Sequence, residues 1–117
     1  MSEVARASPF ANTPQPPYYA VIFTSLRREE DEGYAEMAQH ILALALVQPG
    51  CLGVESARDA RGFGVTVAYF ASKADIAAWR EHAEHRLAQE YGRTKWYAHY
   101  EVRVARVERA YSGPSRS

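Results

Sequence analysis

The 117-residue chain contains a single cysteine, Cys51, so no internal disulfide can form. A fold of this length must then hold together by packing, and a reducing, cytoplasmic setting suits it. Net charge is also missing, because 14 basic and 14 acidic side chains cancel. Without a basic field there is little counterion release to gain. That removes the simplest route to binding nucleic acid or an anionic membrane surface. No run approaches the roughly 18 apolar residues that a membrane-spanning helix needs. Nor is there a Ser-His-Asp triad, a phosphate-cradling glycine loop or a dinucleotide fingerprint. The expectation is one neutral cytoplasmic domain with no nucleic-acid or membrane partner.

Residues 1–17 carry Pro9, Pro14, Pro16 and Pro17 among small polar residues and lack the apolar centre of a signal peptide, so they read as a flexible arm or one that packs on a neighbour. Residues 112–117, SGPSRS, read as a flexible tail. Between them, 18–111 is the globular unit. Tyr18 to Leu26 is rich in β-branched and aromatic residues and reads as a strand. Tyr19, Val21 and Phe23 point one way, and Ala20, Ile22 and Leu26 the other. After a charged run, Tyr34, Met37, Ala38, Ile41, Leu42 and Ala45 recur at the spacing of one buried helical stripe. Gln48-Pro49-Gly50 stops that helix.

Cys51 to Arg58 alternates, with Leu52 and Val54 inward, and reads as a second strand. Asp59 to Gly62 forms a hairpin-like turn, and Phe63 to Phe70 is a third strand with two apolar faces. Ser72 with Asp75 three residues on marks a helix start. Ile76, Trp79, Ala83 and Leu87 form this helix's inward stripe, and Gly92 ends it. A last strand spans Trp96 to Tyr111, with Tyr100, Val102 and Val104 on one face and a bulge near Ala105 and Arg106.

The order β-α-β-β-α-β is the split βαβ, ferredoxin-like α+β arrangement: a four-stranded antiparallel sheet with two helices on one face. Two helices cover one face, yet two strands are apolar on both. The open face therefore calls for a second copy of the sheet, a homodimer about a two-fold axis.

The window from Trp79 to Tyr100 holds both tryptophans, three of the four histidines and three tyrosines. It runs from helix into strand, so these side chains have the means to line one cavity or to fill a core. His82 lies about 60° around the helix from Trp79, on the flank of the inward stripe, whereas His85 projects nearly opposite it. They form an HxxH pair, but no third ligand stands at a metal-site spacing, so no metal is expected.

The stretches QPGCLGVES (Gln48 to Ser56), GFGVTVAYF (Gly62 to Phe70), AAWREHAEHRLAQ (Ala77 to Gln89) and WYAHYEVRVARVERAY (Trp96 to Tyr111) carry a resemblance. The chain resembles the antibiotic biosynthesis monooxygenase domain, a dimeric α+β barrel, in the branch related to heme-degrading monooxygenases. That resemblance implies oxidation of a small aromatic or quinol compound by oxygen without a tightly bound cofactor. Phe23, Trp79, Trp96, Tyr97 and Tyr100 would wall the substrate site, with His82 or His85 as base and Gln89 as a further polar contact. Two alternatives share the fold: a heme-degrading enzyme and a non-catalytic small-molecule-binding module. Heme-degrading members have a helix tryptophan, a histidine ligand ten residues later and a first-strand asparagine. Here the ligand position falls at Gln89, and Tyr18 to Leu26 contains no asparagine.

Overall fold

A computed structural model describes residues 8–27, 43–90 and 97–114, with the backbone alone at 83–90 and 97–98. Its strands are β1 (Tyr18–Arg27), β2 (Cys51–Arg58), β3 (Phe63–Phe70) and β4 (Tyr97–Val107). The helical residues are 43–46, called α1, and Lys73–Glu90, called α2. The strands form one sheet in the order β2-β3-β1-β4, with every neighbouring pair antiparallel. This is the expected ferredoxin-like α+β fold. Tyr34, Met37, Ala38, Ile41 and Leu42 lie outside the described residues.

Both helix boundaries rest on local chemistry. The Ser72 hydroxyl accepts the Asp75 amide at 3.1 Å and donates to the Asp75 carboxylate at 2.8 Å, capping α2. After α1, the Gln48 amide reaches back to the Ala45 carbonyl, and Gly50 takes a φ of 83°. A side chain on Gly50 would fall on the Asp75 carboxylate, so the end of one helix and the start of the other need glycine there twice over. The β2–β3 turn is tied by Asp59, whose carboxylate accepts the Arg61 and Phe63 amides at 2.9 and 3.0 Å.

Strand register sorts the side chains into two faces. On one, Val21 lies between Ala68 and Val104, and Tyr19 between Phe70 and Arg106. Ala45, Ile76 and Trp79 close over these rows with Phe70, which is fully buried, while Leu44, Cys51 and Val54 flank the cluster. Burial of that order contributes roughly 1.5–3 kcal/mol for each large apolar side chain. The Cys51 thiol, half-buried at this edge, is pushed to a higher pKa by its burial.

Three expectations need correction. A register shift between Cys51 and Gly53 makes Cys51, rather than Leu52, the partner of Val54 on the core face. The last strand pairs only as far as Val107, opposite Tyr18, because Pro16 and Pro17 precede β1 and have no amide hydrogen to extend the ladder. There is no bulge near Ala105. The irregularity in this pair falls between Leu26 and Arg27, and Arg106 is simply an exposed guanidinium joined to Glu108 at 3.1 Å.

The other face bears no described helix. Its rows run Gly53–Tyr69–Ala20–Ala105, Glu55–Val67–Ile22–Arg103, Ala57–Val65–Thr24–Glu101 and finally Phe63–Leu26–His99. Along its β4 margin Glu101 meets His99 at 3.1 Å and Arg103 at 2.6 Å. The hydrogen bond from His99, then the Arg103 charge, holds the Glu101 carboxyl below its ordinary pKa. At the opposite margin the arm docks. The Ala11 amide donates to Glu55 at 2.9 Å, the Tyr69 hydroxyl donates to the same carboxylate at 2.7 Å, and Thr13 shares a 2.9 Å hydrogen bond with Tyr18. Burial first, then the Glu55 carboxylate, pushes the Tyr69 phenol up to about 12.

The glycine that joins the two helix boundaries gives a direct test of this frame. Gly50→Ala should lower stability by about 1–3 kcal/mol, measured as an earlier urea midpoint at unchanged m-value.

Candidate functional site

The helix-facing side of the sheet changes character along its length. Toward Tyr19 and Val21 it is the apolar core. Two rows further, Ser56, Thr66, Phe23 and Val102 stand side by side, followed by Arg58, Gly64, Ser25 and Tyr100. Hydroxyls, a guanidinium and two rings replace the aliphatic packing within a few ångströms of each other.

The polar groups are organised. Ser56 and Thr66 share a hydrogen bond of 2.8 Å between their hydroxyls. The Arg58 guanidinium donates to the Ser25 hydroxyl at 2.8 Å and to the Gly62 carbonyl in the β2–β3 turn. It lies flat across Gly64: a Cβ at that position would come within 2.6 Å of Cζ. Only glycine at 64 leaves room for the guanidinium on the sheet surface. Ser25 beneath it is 2% exposed, a buried hydroxyl whose hydrogen bond to Arg58 offsets its desolvation. Beside this pair the Phe23 and Tyr100 rings meet with centroids 5.4 Å apart and planes tilted by 31°. Tyr100 is 42% exposed, and Val102 and Val104 on the same strand are 48% and 53% exposed, so this face is open to solvent along its β4 edge.

Of the residues singled out in the sequence, Phe23 and Tyr100 come together here. Trp79 does not join them in the open part of the face. It is 9% exposed within the core cluster of Ala45, Ala68, Phe70 and Ile76. His82 is exposed on α2. For His85 and Gln89 the structure describes only their place on α2, and for Tyr97 its place on β4 opposite Arg27. Trp96 lies outside the described residues. Sequence reading missed Ser25, Arg58, Ser56 and Thr66. Signals for them existed: a serine inside an apolar strand, and an arginine closing β2 before a glycine-containing turn. Only the register makes them neighbours.

The geometry offers no heme cradle among the described side chains. His99 is on the opposite face, bound to Glu101, and His82 is exposed on its helix. No group of three His, Cys, Asp or Glu residues among the described ones is placed to hold a metal ion. No helix among them is long and apolar enough to cross a membrane.

A family model described as antibiotic biosynthesis monooxygenase matches residues 17–91. The chain belongs to that family. Among its relatives is YqjZ of Bacillus subtilis strain 168, an uncharacterized protein, 54% identical over 99 residues that make up 85% of this chain and 87% of YqjZ. The fold is shared with PA3566 of Pseudomonas aeruginosa at a TM-score of 0.62, with 15% identity over 84% of this chain and 99% of that one. It is shared also with NE2512 of Nitrosomonas europaea, a protein of unknown function, at a TM-score of 0.64, with 13% identity over 89% and 100% of the two chains. At such identities these structures speak for the family's fold and not for its reaction.

Burial separates the two aromatic positions in their effect on stability. Trp79→Ala should cost about 3–5 kcal/mol in chemical denaturation, whereas Tyr100→Ala should cost less than about 1 kcal/mol. Equal losses would mean that Tyr100 is as much a core residue as Trp79.

Proposed function

We propose that the chain is a monooxygenase-type enzyme that oxidises a small phenol or quinol with oxygen, as a homodimer and without a tightly bound cofactor. The observation that carries this reading is the Phe23–Tyr100 ring pair standing beside the Ser25–Arg58 dyad on an open part of the helix-facing side. Rings supply a stacking surface for a flat organic molecule. A guanidinium next to them favours the ionised over the protonated form of a phenolic oxygen. Family membership supports the same chemistry.

The reaction needs no outside reductant. The phenol loses its hydroxyl proton, with His82 or His85 of α2 as the base, and the phenolate is held by Arg58, which the buried Ser25 hydroxyl positions. Oxygen bonds to a hydrogen-bearing ring carbon ortho or para to the phenolate. The ring hydrogen and a proton then leave with one oxygen atom as water, and the other oxygen stays as the second carbonyl of a quinone. Phenol plus O2 gives quinone plus water, and the substrate supplies all four electrons. Trp79 backs the site from the core. Packing of the open sheet faces against one another completes the dimer.

Oxygen uptake with a panel of phenols, naphthols and quinols tests this. One O2 should disappear per quinone formed. Tyr100→Ala should raise KM about tenfold, and Arg58→Gln should lower kcat by roughly 10- to 100-fold. Background uptake across the panel by folded protein would refute the assignment and leave a binding module.

A further inference from the structure

The face opposite the helices is divided into two halves. At one end the arm lies on it, anchored at Glu55 and Tyr18, and the absence of a side chain at Gly53 lets Ala11 approach to a distance where a Cβ would stand 2.8 Å away. Tyr18 and Ala20 at this end are each 4% exposed. At the other end, about 20 Å along the strands at 3.3 Å per residue, the cross-strand pair Leu26 and Phe63 is 41% and 49% exposed. The arm also carries the reverse feature. Phe10, next to the anchored Ala11, is 77% exposed.

A face half covered by an arm can pack on its own copy in few ways. Facing sheets sit about 10 Å apart, and a two-fold axis relating them lies in the plane between them. If that axis ran along the strands, arm would meet arm at one end and no described segment would fill the other. If it runs across the strands, each arm lies over the arm-free half of the partner and one layer of chain fills the gap throughout. This axis also preserves lateral position, so an arm on the β2–β3 side comes down near β3 of the other copy.

We propose that the docked arm is an intersubunit element and that Phe10 of each protomer packs against Phe63 of the partner subunit, beside Leu26 of the partner subunit. The second copy is the occupant because the surface is self-complementary: it displays one unburied aromatic on a raised half and one unburied apolar pair on a flat half. The inference rests on the dimer assigned above and adds its axis and its contact. Nothing in it depends on the oxidation chemistry.

Disulfide trapping reads the contact. In a Cys51→Ala background, Phe10→Cys and Phe63→Cys proteins are prepared separately, mixed, equilibrated and oxidised. Their masses in solution are measured alongside. Both positions are exposed enough to tolerate substitution. The expected product is a disulfide-linked pair containing one chain of each kind, formed much faster than either variant links to itself. A dimer that instead links Phe10→Cys to itself, or forms no mixed pair, overturns the arrangement while leaving the dimer standing. A monomer mass overturns both. As a second reading, Phe10→Ala should raise the dimer dissociation constant about tenfold or more without lowering the helical content. An unchanged constant would also reject the contact.

Discussion

The controlling constraint is a sheet that is apolar on both faces, of which the described helices cover only one. β1 and β3 sit at the centre of the sheet and carry Tyr19, Val21, Ala68 and Phe70 toward the helices. The same strands present Ala20, Ile22, Leu26, Phe63, Val65 and Val67 on the other side. A solvated face would alternate with polar residues, and these strands do not. Half of the uncovered face is met by the chain's own arm, and the other half keeps Leu26 and Phe63 open. Everything peculiar to this protein lies where the helix-covered core stops.

On the helix side, that boundary is where hydroxyls, a guanidinium and two rings replace aliphatic packing. Core packing by Trp79, Ile76 and Phe70 fixes one end of the face. The β2–β3 turn fixes the other, since Asp59 ties the turn and Arg58 reaches back over Gly64 to Ser25. A guanidinium held by a turn carbonyl and a buried hydroxyl has little rotamer freedom left to lose. The rings of Phe23 and Tyr100 project from strands that are hydrogen-bonded to each other, so their spacing follows from the sheet itself. Mobile loops are not required to bring these four residues together.

How much of this was legible in the sequence depends on the range of the interaction. β2 and β3 show the expected boundaries because Pro49-Gly50 and the Asp59 turn mark their ends in the local sequence. The helix cap at Ser72 and the burial of Ala45, Ile76 and Trp79 were legible for the same local reason. The limit of β4 was not, because it is set by Pro16 and Pro17 on the other side of the sheet. Nor was the Ser25–Arg58 contact, whose partners stand 33 residues apart and meet only through the register of three strands. The arm read from its prolines and small residues as flexible or as packed on a neighbour, and its attachment to its own sheet is made by a backbone amide that composition does not reveal. Dense aromatics near Trp79 pointed to the helix-facing side, whereas the polar cluster on that side is built by residues of β1, β2 and β3.

If the open face is completed by a second copy, stability must depend on how many copies are present. Thermal unfolding followed over about a hundredfold range of protein concentration measures this most directly, because mass action raises the Tm of a protein that unfolds with dissociation. The account predicts a rise of several degrees from the dilute to the concentrated end. A Tm independent of concentration would show that the single chain is already complete, and would contradict it.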